Sequence, residues 1–461
     1  MADATTPQAS ALPQERFWTF DRIADALGEG PRGTTELSRI STDTRHVEQG
    51  SCFLALQGET FDALDYLGEA VAKGAAALIV RDARRAANLG VPVYEVPSTL
   101  AALGMLARYR RRVWGGAVVG VVGTNGKTST KELLSAALGA AFNVHATVGN
   151  YNNRVGVPFT LLTVPNDADI AIVEMGTNHP GEVEALRVIA EPDVVVVTSI
   201  AEEHLEGLGD LEGVLREEMS ACVGVPLVVT PASQPEIAEV ARLLATETTT
   251  AGLDAGDLRP TGWGIEPDGQ GWLQFDGCVV RVPLRGMHNM RNAMLALAVA
   301  RASGVSLETA ARGMASMPAP PMRVNFEAHG QLTVINDAYN SNPGSARAAL
   351  DLLEHAGVGR QKVAIIGSML ELGVHADRLH DEVARVALGG AIDLLVGVGD
   401  FAAAFQRVAP GDARVVVAAD PVAAWGAVRS RVATDAVILL KGSRGVRLEQ
   451  LVPLIHVQAL G

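Results

Sequence analysis

Short apolar blocks recur along the chain, each followed by a glycine-rich or polar turn and then by a stretch with helical spacing of apolar positions. Such a block reads as a buried strand, and the alternation of strand and helix predicts parallel sheets with crossover helices. In the first part, residues 51–56 and 75–80 read as strands, with a helix over 66–73 that ends at Gly74. A further helix over 99–112 carries Arg108, Arg110, Arg111 and Arg112 at its end. Positive charge suits a helix C-terminus, and these arginines read as solvated structural groups. From about residue 113 the alternation continues with strands at 117–122, 169–174, 194–198 and 227–230, and a β meander over 263–283. The proline-rich stretch 315–322 reads as an interdomain linker. Beyond it, strands recur at 332–335, 362–366, 392–396, 414–417 and 436–440. The pattern predicts an α/β chain of three domains: a small α/β domain over 15–112, a central parallel-sheet domain over 113–317 and a Rossmann-like α/β domain over 318–461.

Composition narrows the class. At 461 residues the chain exceeds one core. Aromatics make up only 4%, so Ala, Val and Leu must build the interior. A net charge of -14 argues against general nucleic-acid binding. Cys52, Cys222 and Cys278 are odd in number and widely spaced, giving neither a disulfide framework nor a zinc pattern, which fits a reducing cytosol. Residues 1–14 read as a disordered tail without a signal pattern, and no apolar run is long enough to span a bilayer.

The chemistry concentrates at strand ends. The strand 117–122 runs into Gly123-Thr124-Asn125-Gly126-Lys127-Thr128-Ser129, a turn whose amides and following helix N-terminus form a phosphate cradle (a P-loop). The strict G-x-x-x-x-G-K-[ST] pattern has glycine five residues before Gly126, where this chain has Val121. Lys127 supplies charge to the phosphates, and Thr128 is placed for a magnesium ion. Glu174 ends an apolar strand and can hold magnesium. His204 follows the next strand and reads as a ligand or proton-transfer group. Asn289 and Asn292 share a helical face; reading a purine edge and capping the helix are equally open from spacing alone. Three clusters, 336–343, 367–373 and 441–444, follow apolar strands and converge on one edge of the last sheet as a binding surface.

Together these motifs resemble the Mur ligases over nearly the whole chain. The Gly123–Thr128 loop is shared by that family and by folate polyglutamate synthases. Asn150-Tyr-Asn-Asn153 through Gly156-Val-Pro158, Glu174-Met-Gly-Thr-Asn178, Pro180-Gly-Glu182, Asp337-Ala-Tyr-Asn-Ser-Asn-Pro343, Met369-Leu-Glu-Leu-Gly373 and Lys441-Gly-Ser-Arg444 resemble the branch that adds a dipeptide. The resemblance implies an ATP-dependent amide ligase joining D-alanyl-D-alanine to UDP-N-acetylmuramoyl-tripeptide through an acyl phosphate. It implies ATP, two Mg2+ ions, a cytoplasmic setting, a monomer, and no nucleic-acid or membrane partner. The first domain would hold the UDP end through Ser41, Thr42, Asp43, Thr44 and Arg45, with Asn150, Asn152 and Asn153. Asn292 and Asn289 would meet adenine, and Arg323 and Asp337 would reach the phosphates and ribose. Tyr339, Asn340, Asn342, Ser443 and Arg444 would meet the dipeptide. Two motifs depart from the family: Asp62-Ala-Leu-Asp65 replaces Asp-Gly-His-Asp/Glu, and Gly367-Ser-Met369 replaces Gly-Asp-Met. Glu218 falls where many Mur ligases carry a carbamylated lysine, so its carboxylate would join Thr128, Glu174 and His204 around the metal. The alternatives are a sibling ligase for another amino acid and a P-loop nucleotide switch.

Overall fold

The computed structural model describes residues 17–58, 60–318 and 322–459; the expected tail 1–14 and part of the proline break, 319–321, lie outside them. Three sheets with helices on their faces succeed one another, with a small meander beside the second. The first sheet has four parallel strands, Ile40–Ser41, Ser51–Leu54, Ala75–Val80 and Val93–Glu95, in chain order.

The central sheet has six parallel strands in the spatial order Glu247–Ala251, Leu227–Pro231, Val194–Val197, Ala117–Val122, Ile170–Glu174, Val144–Ala146. The strand Ala117–Val122 therefore lies between the two strands whose ends carry Glu174 and the approach to His204. Loops leaving such neighbours open a crevice at the carboxyl edge of the sheet. Register sets the spacing: Val121 pairs with Glu174 and Val122 with Val197. The meander Gly262–Ile265, Gln270–Phe275, Cys278–Arg285 is antiparallel as expected. Its inward residues Leu273, Phe275, Val280 and Val282 join Leu133, Leu134 and Met290 in one core.

The last sheet runs Asn325–His329, Leu332–Asp337, Val437–Lys441, Lys362–Gly367, Leu394–Val398, Val415–Ala418, parallel except for the first strand. That antiparallel edge strand escapes the sequence pattern because its residues, Asn-Phe-Glu-Ala-His, are only partly buried. An apolar cluster bridges the central and last units, with Ile200, Leu205 and Leu208 on one side and Met369 and Leu372 on the other.

One expectation is corrected. Arg110 and Arg111 are structural but not solvated: they are 3% and 9% exposed. The helix Thr99–Trp114 lies against the central unit, and Arg110 donates to the Val164 carbonyl (2.6 Å) and to Asn166 Oδ1 (2.7 Å). Arg111 donates to the carbonyls of Ala190 (3.1 Å) and Glu191 (3.1 Å) and to Asp193 Oδ2 (2.8 Å). Burial pushes the Arg110 pKa down to about 10. Only Arg108 and Arg112, both paired with Glu191, stay near water.

Candidate active site

The glycine loop is held open from below. Thr124 N–H donates to the Ser199 carbonyl (2.8 Å), Asn125 N–H to Ser199 Oγ (3.2 Å), and the Thr124 hydroxyl exchanges hydrogen bonds with Ala201 O (3.2 Å) and N (3.0 Å). Gly123 lies at φ 114°, and a Cβ there would come within 2.4 Å of Thr198 Oγ1. Only glycine fits this position. Gly126 (φ 85°) lies against the Asn292 amide, where a Cβ would meet Nδ2 at 2.7 Å. Gly126 starts the helix Lys127–Gly139 without a side-chain cap among the described residues. First-turn N–H groups without a side-chain acceptor make an anion site. Lys127 Nζ folds over the loop onto the carbonyls of Gly123 (2.5 Å) and Thr124 (3.2 Å). Ser129, in the first turn, is 7% exposed.

Beside the loop, Glu174 is 2% exposed. Its Oε1 accepts from the Thr128 hydroxyl (3.2 Å) and the Asn152 amide (2.9 Å), while Oε2 is buried with no hydrogen-bond partner among the described residues. A desolvated carboxylate oxygen without a donor is costly. An oxygen of this kind beside a hydroxyl suits a hard divalent cation.

Thr128 and Glu174 thus meet as expected, while the other predicted ligands have different partners. His204 Nδ1 lies 2.5 Å from Glu371 Oε2 of the last unit, and Nε2 lies 3.9 Å from Glu203 Oε2. Burial opposes charge on this ring, but the Glu371 hydrogen bond and the Glu203 carboxylate outweigh it and raise the pKa. His204 (φ 51°) and Glu371 (φ 63°) both adopt the left-handed backbone region, which costs a non-glycine residue on the order of 1 kcal/mol. Glu218 Oε2 accepts the Gly123 N–H (2.7 Å) from beneath the loop. Burial raises its pKa, against the pull of Lys127 and that N–H.

Sequence reasoning missed Glu217, one residue earlier. It is 6% exposed and accepts from Gly181 N–H (2.7 Å), Val183 N–H (2.8 Å) and the Thr177 hydroxyl (3.2 Å). The helix Leu211–Met219 therefore grips the glycine loop with one glutamate and the loop after Glu174 with its neighbour. Two adjacent acids ahead of an apolar Met219 were the available signal.

The remaining candidates fall into three groups. In the central unit, Asn289 donates to Arg285 O (2.9 Å) and accepts from Asn292 (3.1 Å), so the pair shares a face as predicted. In the last unit, Asp337 pairs with Lys441 (2.9 Å), Arg323 stacks on Tyr339 (4.1 Å), and Ser443 Oγ accepts the Leu370 N–H (3.0 Å). Asn342 caps the helix Pro343–Ala356 and donates to Asn125 Oδ1 (2.8 Å), so it touches the glycine loop directly. Asn340 donates to Glu203 Oε1 (2.9 Å), and Arg444 pairs with Glu449 (3.1 Å). In the first unit, the 41–45 turn is organised locally: Ser41 Oγ donates to Asp43 O (3.0 Å), Asp43 pairs with Arg45 (2.7 Å), and Thr44 O accepts from Lys73 (3.1 Å), with Thr42 half-buried between. Asn150 is exposed in a turn, and Asn153 Oδ1 accepts the Gly156 N–H (2.9 Å), while Asn152 turns to Glu174.

Family models match three consecutive stretches: the Mur ligase family catalytic domain over residues 36–111, the Mur ligase middle domain over 121–300, and the Mur ligase glutamate ligase domain over 322–444. The UDP-N-acetylmuramoyl-tripeptide–D-alanyl-D-alanine ligase of Bacillus subtilis is 32% identical, covering 91% of this chain and 93% of that one. The enzyme of that name from Escherichia coli is 32% identical over 94% and 97%. Among solved structures, MurF from Acinetobacter baumannii superposes with a TM-score of 0.87 at 30% identity, covering 97% of this chain and 100% of that one. MurF ligase from Thermotoga maritima in complex with ADP gives 0.80 at 26% identity, over 92% and 98%. Because the three family models together span most of the chain and a relative 32% identical covers 91% of it, the chain belongs to the Mur ligase family.

Proposed function

We propose that this protein is the ATP-dependent ligase that joins D-alanyl-D-alanine to UDP-N-acetylmuramoyl-tripeptide in peptidoglycan precursor synthesis. The observation that carries the reading is the pairing of an uncapped helix N-terminus and Lys127 with the buried Thr128–Glu174 contact, closed over by Asn342 on Asn125. Sibling similarity to named dipeptide-adding relatives over more than nine-tenths of the chain supports the substrate choice.

A carboxylate resists attack by an amine because its oxygen is a poor leaving group. Transfer of the γ-phosphoryl group of ATP to the tripeptide carboxylate gives an acyl phosphate. The free amine of the dipeptide attacks its carbonyl carbon, the C–N bond forms, phosphate leaves with the electrons of the C–O bond, and the nitrogen gives up a proton to the departing phosphate or to water. Catalysis of this kind is alignment and charge stabilisation. The first-turn amides and Lys127 hold the β- and γ-phosphates, releasing the lysine from the loop carbonyls it now contacts. Asn292 and Asn289 take the adenine side, with Arg323 and Asp337 approaching from the last domain. The unpartnered Glu174 Oε2 beside Thr128 fits Mg2+, with His204 and Glu218 as candidates for a second ion. Bound there, magnesium neutralises charge on the phosphate oxygens.

In this reading residues 15–112 hold the UDP end, 113–317 bind ATP, and 318–461 bring the dipeptide and close on the nucleotide. Among the described residues no helix is long and apolar enough to cross a membrane. A cytoplasmic monomer is part of the proposal. The test supplies ATP and the UDP-tripeptide with D-Ala-D-Ala, L-lysine, diaminopimelate or glutamate, and measures phosphate release. Release that depends on D-Ala-D-Ala supports the reading, and release with another amine alone overturns it. Heavy oxygen in the terminal carboxyl of the tripeptide must also appear in the released phosphate.

A further inference from the structure

Glu174 has a well-anchored main chain and a side chain that its own bonds leave loose. Its N–H donates to Thr147 Oγ1 (3.0 Å). Thr147 is held in turn: its N–H donates to the Ile172 carbonyl (2.9 Å), and its carbonyl accepts from the buried Lys131 ammonium (2.7 Å). The last torsion of a glutamate is broad and roughly two-fold, so bonding alone does not set the plane of the carboxylate. Hydrogen bonds must set it. Oε1 has two donors, the Thr128 hydroxyl at 3.2 Å and Asn152 Nδ2 at 2.9 Å, and Oε2 has none among the described residues. A hydroxyl rotates about its C–O bond and can follow either carboxylate oxygen.

The Asn152 amide has no such freedom. Its residue is fixed at the main chain, where its carbonyl accepts the Gly176 N–H (2.8 Å) and its N–H donates to the Asn150 carbonyl (2.7 Å). Its side chain packs on Gly176, where a Cβ would come within 2.9 Å of Nδ2. The loop 147–152 therefore leaves the strand end at Thr147 and returns to it at Asn152, with Val148 and Tyr151 exposed between. Both of its ends grip Glu174, one by the backbone and the other by the carboxylate.

We propose that Asn152 is a positioning residue for the metal site: by occupying Glu174 Oε1 it keeps Oε2 bare for a divalent cation. The proposal rests on the metal reading of Thr128 and Glu174 above and deepens it. The family resemblance assigns Asn152 to the UDP end of the substrate; here its amide is committed to the carboxylate. Without that amide, either oxygen can turn to the Thr128 hydroxyl, and the carboxylate is no longer presented in one way. Partners of this kind behind a metal ligand set affinity over roughly 10- to 100-fold.

The test follows Mn2+ binding by electron paramagnetic resonance in the full chain with ADP, for wild type, Glu174→Gln, Asn152→Leu and Gly176→Ala. Leucine keeps the bulk of Asn152 without a donor. Gly176→Ala keeps Asn152 and crowds its amide off Oε1, so a second variant reaches the same end by another route. Glu174→Gln loses most of the bound Mn2+, and the other two variants bind it roughly 10- to 100-fold more weakly than wild type. In phosphate release they need correspondingly more magnesium for half-maximal turnover. At saturating magnesium their KM for the UDP-tripeptide stays within about twofold of wild type. Wild-type Mn2+ affinity in Asn152→Leu, or in Gly176→Ala should the first not fold, overturns the proposal. A raised KM for the UDP-tripeptide with metal affinity unchanged also overturns it and returns Asn152 to the substrate. Mn2+ binding that survives Glu174→Gln removes the metal reading itself, whereas loss in Glu174→Gln with retention in Asn152→Leu removes this proposal alone.

Discussion

Replacing Glu217 tests how the loop after Glu174 is held. Its carboxylate accepts two backbone N–H groups, from Gly181 at 2.7 Å and Val183 at 2.8 Å, and the Thr177 hydroxyl at 3.2 Å. These donors sit at the start of the helix Glu182–Ala190, whose own N-cap, Gly181, offers no side chain. Losing an N-cap acceptor costs about 1 kcal/mol, and hydrogen bonds to a charged group are worth more. Glu217→Ala takes the charged acceptor from both backbone N–H groups in a site 6% exposed, while the Thr177 hydroxyl keeps the His179 carbonyl (2.9 Å), so a loss of about 3 kcal/mol follows. Glu217→Gln keeps one carbonyl acceptor but no charge, so about half that loss is expected. For a central unit of this size, the Ala variant melts roughly 6–12 °C lower and the Gln variant about half as much lower. Calorimetry measures the shift, and hydrogen exchange at the Gly181 and Val183 amides localises it. If Glu217→Ala melts within about 1 °C of wild type with unchanged protection at both amides, the assigned role is wrong.

Lys127→Ala lowers turnover on the order of 10²-fold or more, and near-normal turnover in a steady-state assay would count against the nucleotide site. Glu371→Ala removes the His204 contact, so small-angle scattering with an ATP analogue and UDP-substrate shows less compaction than wild type; equal compaction refutes its part in closure. His380 is fixed in its neutral form, Nε2 accepting the Met369 N–H (2.9 Å) and Nδ1 donating to Ala376 O (2.7 Å). Burial lowers its pKa despite the nearby Asp400, so its contribution to stability is present above the ordinary histidine range and is lost as pH falls through the folded value. The melting temperature of His380→Gln therefore falls less than that of wild type between about pH 7 and pH 5, and parallel profiles would refute this.

Much of the scaffold was legible because buried parallel strands are nearly continuous apolar runs. The block 75–80 and the glycine loop needed no tertiary knowledge, and Glu174 stood out as a charge at the end of such a run. What escaped depends on contacts distant in sequence. Asn152 looks like its neighbours Asn150 and Asn153, yet it alone reaches Glu174, because the turn brings it back over the strand end. Glu203, ahead of a short helix, and Glu217, within one, look like ordinary surface acids until Asn340 and Gly181 are seen to donate to them. The edge strand Asn325–His329 is specified by pairing with Leu332–Asp337, not by its own composition.

The buried arginines of the helix Thr99–Trp114 carry a lesson for protein engineering. A cut after residue 112, sensible on strand counting, would strip the Val164, Ala190 and Glu191 carbonyls of the guanidinium groups that satisfy them. The same cut would tear two desolvated cations from their sockets. A chimaera assembled from relatives should graft this helix together with the central sheet it plugs into. The covalent joint and the energetic one lie in different places.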